Sequence, residues 1–200
     1  MNRLCRLSLL VLVLVAVPVG CSGNDSAPPG GARTYYESLD VANPTAAVET
    51  FVNAFARDDF MTVWLAFDMQ AQMAAGDHMN LLRYCGLMRT DDSDEFRNSI
   101  SQMLTFSNLE TFDRWYLFDK LMLLAEENDA FLIDLRGKVT LGEVTTGVET
   151  TDVSTEVEGI DGPVVFRMSE SATGRWQVKQ VAVQGGDEEA VPWSAPDACH

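Results

Sequence analysis

Asp119 and Tyr116 are the residues whose types and spacing come closest to a catalytic pair. They share a helical face with Phe112, Trp115, Met122 and Leu123, at i, i+3, i+4 and i+7 spacing. A carboxyl group in aromatic surroundings has its ionised form disfavoured, which raises its pKa toward the range a general base needs. Tyr116 lies one turn earlier, placed to donate a hydrogen bond. The bland alternative is an Asp119 paired with an arginine or sitting at the edge of the stripe, with Trp115 and Tyr116 as core. Asp134 shares its strand face with Leu132 and Arg136, so an ion pair is the simpler reading of it. His78 stands next to Asp77, and the other histidine is at the C-terminal end, so a His-rich metal site has no basis. Asp91 to Glu95 is acidic but lacks the glycine and distal glutamate of a calcium loop, and reads as a cap on the next helix. No G-x-S-x-G, G-x-G-x-x-G, Walker A or H-E-x-x-H pattern occurs. No cofactor and no metal are expected.

The elements that would position these residues fit one domain of ordinary size with a short appendage. The chain has 200 residues, of which 46% are apolar, 9% aromatic and 22% charged, as in a packed globular protein. Thirty acids oppose 14 bases, for a formal charge of −16. A surface of that sign repels a phosphate backbone, which excludes a broad grip on nucleic acid and disfavours docking on anionic lipid.

Residues 1–20 read as an export signal. Arg3 and Arg6 precede an apolar run from Leu7 to Val17, which is shorter than the roughly twenty residues a membrane-spanning helix needs. The run ends Pro18-Val19-Gly20-Cys21, which resembles the bacterial lipobox, with Pro18 where Leu, Val or Ile is usual. The resemblance implies diacylglycerol on the Cys21 thiol, cleavage after Gly20, and acylation of the new N-terminus. The alternative is an ordinary cleaved signal with Cys21 as a plain cysteine. Residues 21–34 are rich in Ser, Pro and Gly and make a flexible tether between a lipid bilayer and a folded domain. The expected location is the cell envelope, on the extracytoplasmic side of a membrane. Disulfides persist there, and Cys85 and Cys199 are the pair left to form one. A buried Cys85 thiol with a loose Cys199 is the alternative.

The domain is expected over 35–184, followed by an acidic tail over 185–200. Asn43-Pro44 starts a helix whose stripe is Val48, Phe51, Val52 and Phe55. Asp58-Asp59 breaks and recaps the chain, and Phe60, Val63, Trp64 and Phe67 repeat the spacing. Further helices are expected over roughly 77–88, from Ser93, and from about Leu109 to Glu127. The last is apolar nearly all round, as in a helix covered on both faces or lining an internal space. After Asn128-Asp129 the period becomes two. Strands are expected over 131–136, continuing through Val139-Thr140-Leu141, then around 153–158, 164–168 and 176–183. In the last one, Trp176 and Val178 fall on one face and Val181 and Val183 on the other. That requires a bulge near Lys179 or cover on both faces. Helices first and strands second give the α+β class.

"NPTAAVETFVNAFARDDFMTVWLAFD" resembles the opening helix pair of NTF2-like proteins, and "GRWQVKQVAV" resembles their closing strand. The resemblance implies N-terminal helices packed on a curved antiparallel sheet, forming a cone with an interior cavity, here with a helical insert. It also implies a choice among functions, because that fold carries isomerases, dehydratases and many binders. A tethered, non-catalytic domain binding a small apolar ligand or a partner protein is the first expectation. An isomerase or dehydratase using Asp119 and Tyr116 is the second. A structural envelope protein, homodimeric through its sheet face, is the third.

Overall fold

The computed structural model describes residues 35, 37–88, 114–127, 129, 131 and 133–185, with the backbone alone over 80–88. Within them the chain is α+β: four helices, then a four-stranded antiparallel meander.

Helix α1 (Pro44–Phe55) begins as its first two residues dictate. The Asn43 side chain accepts the Ala46 N–H at 2.9 Å, and Pro44 takes the first helical position. Val48, Phe51, Val52 and Phe55 are all buried. Asp58 turns the chain in the left-handed region at φ 57°, and Asp59 caps α2 (Phe60–Ala66) by accepting the Thr62 N–H at 3.1 Å. Phe60, Val63, Trp64 and Phe67 are buried, as their spacing predicts.

Helix α3 (Met69–Met88) starts eight residues earlier than the expected 77. Asp68 caps it, with Oδ1 accepting the Ala71 N–H at 2.8 Å. Its first turns carry no apolar stripe. Met69 and Met73 are exposed, and the buried side is made of Ala71, Ala75 and Gly76. Helix α4 (Arg114–Glu127) buries Leu117, Phe118, Leu121, Met122 and Ala125. The expected helix from Ser93, and residues 109–113 of the last one, lie outside the described residues.

The described residues of the expected strand over 131–136 are not in a strand. Ile133 and Leu135 are buried with the expected alternation, but the described residues there join no ladder. Period two reports alternating burial, and a segment can have that without a hydrogen-bonded neighbour. The sheet begins at β1 (Val139–Thr146) and continues as β2 (Thr151–Val157), β3 (Val164–Glu170) and β4 (Trp176–Val183), in that spatial order. β1 runs five residues beyond Leu141, because a register shift between Leu141 and Val144 lets the strand resume. A second shift places Arg167 opposite Gln180 and Met168 opposite Val178, so Lys179 is the extra residue of a bulge. That bulge brings Val178 and Val181 to the same core. Bulges also curve a sheet, and this sheet curves over α1.

The concave side is filled. Phe51, Phe55, Phe60, Phe67, Phe118 and Phe166 are fully buried. Phe51 meets Phe67 at 5.3 Å and Phe166 at 5.6 Å, both edge-on. Trp64 lies 5.2 Å from Phe118, joining α2 to α4. These rings lie where the family resemblance places an open interior.

The two sheet edges differ. β4 is covered: the Trp176 N–H donates to the Val41 carbonyl at 2.9 Å, and the Asp68 N–H donates to the Val178 carbonyl at 2.9 Å. Phe67 also bridges to Val178 in parallel. Along the outer edge of β1, no described segment pairs, and Gly142 to Thr146 are exposed.

Candidate functional site

The open edge of β1 borders a groove of about 380 Å³, walled on its other side by α1. Helical spacing puts Glu49 and Asn53 on one ridge of α1, and Val52 and Ala56 on the next. All four line the groove, facing Leu135, Gly137, Lys138, Val139 and Leu141. The floor is apolar, from Val52, Leu135, Val139 and Leu141. The rim carries Glu49, Asn53 and Lys138.

The segment that leads into β1 is held by Arg136. Its guanidinium donates to Asp134 three times, at 2.9, 3.1 and 2.6 Å, and to Glu126 at 3.2 Å. Asp129 is 3.6 Å away, and the Phe131 ring lies under the guanidinium carbon at 5.1 Å. The Asp134 carboxylate also accepts the Arg136 N–H at 3.0 Å, closing a local turn. The ion pair expected of Asp134 is therefore present, though on a loop and not on a strand. The hydrogen bonds from Arg136 hold the Asp134 carboxyl below its ordinary value of 3.8. Because the folded value is the lower one, the pair's contribution is present above pH 3.8 and lost as pH falls through the folded value. Asp134→Asn is thus expected to flatten the acid limb of the thermal midpoint against pH, while Asp161→Asn, an exposed control, leaves it unchanged.

Gly137 is required by close approach. A Cβ there would lie 2.6 Å from the Glu158 carbonyl oxygen, and that oxygen is backbone. Gly137→Ala is expected to cost about 1–3 kcal/mol, read as a lower urea midpoint with an unchanged slope.

Among the described residues two further clefts adjoin the groove, one sharing Lys138 with it and the other sharing Glu49 and Asn53. One of about 560 Å³ is lined by Thr140, Glu156, Glu158, Ile160 and Pro163 among others. One of about 240 Å³ holds Tyr35, Asp59 and Thr62. There the Asp59 carboxylate accepts from Thr62 Oγ1 at 2.7 Å and from the Tyr35 hydroxyl at 3.2 Å. Those bonds tie residue 35 to the cap of α2, which is a structural use of the carboxylate.

Asp119 and Tyr116 fall on α4, one turn apart as expected, and both are half-buried. Asp119 Oδ2 lies 3.9 Å from Lys120 Nζ, and that ammonium stands 5.2 Å from the Tyr116 ring centre. Tyr116 meets Trp115 edge-on at 5.8 Å. None of the three clefts is lined by Asp119 or Tyr116. His78 is half-buried on α3, and burial holds its imidazole below the ordinary value of 6.5. Among the described residues no three His, Cys, Asp or Glu side chains gather as a metal site. Cys85 falls on the backbone of α3; Cys21, Cys199 and the Asp91–Glu95 run lie outside the described residues. No described helix is long and apolar enough to cross a membrane.

Sequence reasoning missed the groove. Its walls come from distant parts of the chain, and the Gly142-Glu143 irregularity hid the outer half of β1. The signal that could have found it is the β-branched run Val139 to Thr146, resuming after Gly142 with a single charge. Searches against protein-family models, characterised proteins and solved structures each return no significant match.

Proposed function

We propose that this chain is a lipid-anchored protein of the cell envelope whose domain is a non-catalytic, NTF2-like module that binds a partner protein. The observation that carries the binding role is that, among the described residues, a packed interior goes with a β1 edge on which no segment pairs. Six fully buried phenylalanines pack between helices and sheet, and among the described residues the groove beside β1 is a cleft with apolar side chains that borders an unpaired strand edge. That favours a partner protein over a small apolar ligand held inside. The helix pair on a curved antiparallel meander supports the NTF2-like arrangement. The lipobox-like run before Cys21 and the Ser/Pro/Gly-rich stretch after it support an anchored domain on a tether, since two or more acyl chains hold firmly.

Two readouts test this. Palmitate labelling of the full chain is expected to vanish in Cys21→Ser; equal labelling of both would remove the anchor. A photo-crosslinking residue at Asn53 in the full chain, in intact cells, is expected to trap a discrete adduct, whereas one at Thr173, on the exposed β3–β4 turn, does not. Equal trapping at both sites, or none at Asn53, would count against the binding role.

A further inference from the structure

Resting on that reading, we propose that the groove between α1 and β1 takes an extended, basic segment of the partner, added as a fifth strand on the outer edge of β1. Three independent features point to it. The first is the backbone. The opposite edge of the sheet is closed by residues 41 and 67–68, whereas no described segment pairs with β1, leaving its outward N–H and C=O groups to recruit another strand. The second is the side-chain receptacle. In strand addition, main-chain hydrogen bonds give affinity and pockets for alternate side chains give specificity. The apolar floor of Val52, Val139 and Leu141 lies directly beside the edge, where every second side chain of an added strand would reach it. Val144, 43% exposed, continues that apolar line toward the hairpin tip.

The third feature is charge, and it selects the occupant. Glu49 stands on the α1 rim, and Glu143, Glu149, Glu156 and Glu158 are exposed on β1, β2 and the turns that flank them. Lys138 is the base on the groove rim. A second copy of this chain would bring its own Glu143 and a net charge of −16 against the same surface. A strand that alternates apolar residues with lysine or arginine meets both demands at once. Its apolar side chains enter the groove and its cations face the glutamates.

The test uses the full chain, 15N-labelled and held in neutral detergent, with the end-blocked peptide (Lys-Val)4 as probe. The expected result is saturable shifts confined to amides of residues 49–56 and 138–146, with binding weakened by salt. Glu49→Lys/Glu143→Lys is expected to weaken binding about tenfold, because both side chains are rim charges. Asn53→Trp, which fills the groove from an exposed position, is expected to abolish it. A (Glu-Val)4 peptide, or a (Lys-Val)4 peptide N-methylated at every second residue, is expected not to bind. Shifts centred on another surface, undiminished binding to either variant, or equal binding of the glutamate peptide would overturn the proposal. So would a concentration-dependent dimer in sedimentation that protects the β1 amides, which would assign the edge to a second copy. If the peptide fails while Asn53 still traps a discrete adduct, the basic-strand inference falls and the binding role stands. If both fail, both fall.

Discussion

Phe51→Ala is expected to lower the stability of the domain by about 3–5 kcal/mol. Phe51 is fully buried, and its ring is the meeting point of three elements: α1, the end of α2 at Phe67, and β3 at Phe166. Truncation removes the transfer free energy of a whole ring. It also leaves a cavity between helix and sheet that the curved strands can close only in part. Domains of this size have net stabilities of about 5–15 kcal/mol, so the loss is a large share of the total. The measurement is urea unfolding followed by tryptophan fluorescence, with a lower midpoint and an unchanged slope. Phe51→Leu should recover much of the loss. Because α1 also forms one wall of the groove, peptide binding in Phe51→Ala should fall with the folded fraction and not independently of it.

Asp68→Ala is expected to cost about 1–3 kcal/mol through a different mechanism. Asp68 is 9% exposed and is used at every polar atom. Its Oδ1 accepts the Ala71 N–H at 2.8 Å, its Oδ2 accepts the Ser169 hydroxyl at 2.9 Å, and its own N–H donates to Val178 at 2.9 Å. The side chain thus caps α3 and fastens that helix start to β3, beside the bulged strand. Alanine leaves the Ala71 N–H unpaired in the interior and the half-buried Ser169 hydroxyl without its carboxylate, and an unmade buried bond costs more than a made one gains. Ser169→Ala alone should cost less. The double variant should cost less than the sum of the singles, since the Ser169 hydroxyl can lose its partner only once. Urea midpoints of the four proteins measure that coupling; strict additivity would show that the Ser169 bond is idle.

The parts that could be read from the chain are those in which local chemistry and burial agree. Asn43-Pro44 fixes a helix start, and the stripe from Val48 to Phe55 faces the core because helical spacing leaves it no other side. The phase change between Val178 and Val181 requires a bulge, and the register places one at Lys179. The failures have equally local causes. The first half of α3 packs with Ala71, Ala75 and Gly76, residues too small to make a stripe, while Met69 and Met73 face water. Segment 131–136 alternates like a strand because Ile133 and Leu135 reach the core from a loop held by Arg136. The alternation of β1 is broken at Gly142, so the strand expected through Leu141 stops short of its exposed outer half. Asp119 shows why a candidate site is harder still. Spacing along one helix gave its neighbours on α4, but the groups that face a side chain come from elements packed across from it, and a single sequence does not order those.

Amide hydrogen exchange of the full chain, at two protein concentrations, tests the open edge most directly. Fast exchange is expected at alternate amides of β1, those pointing away from β2, and slow exchange along β3, which is paired on both sides. Protection of every β1 amide to the level of β3, at both concentrations, would mean that the chain already covers this edge, and the groove could not receive another strand.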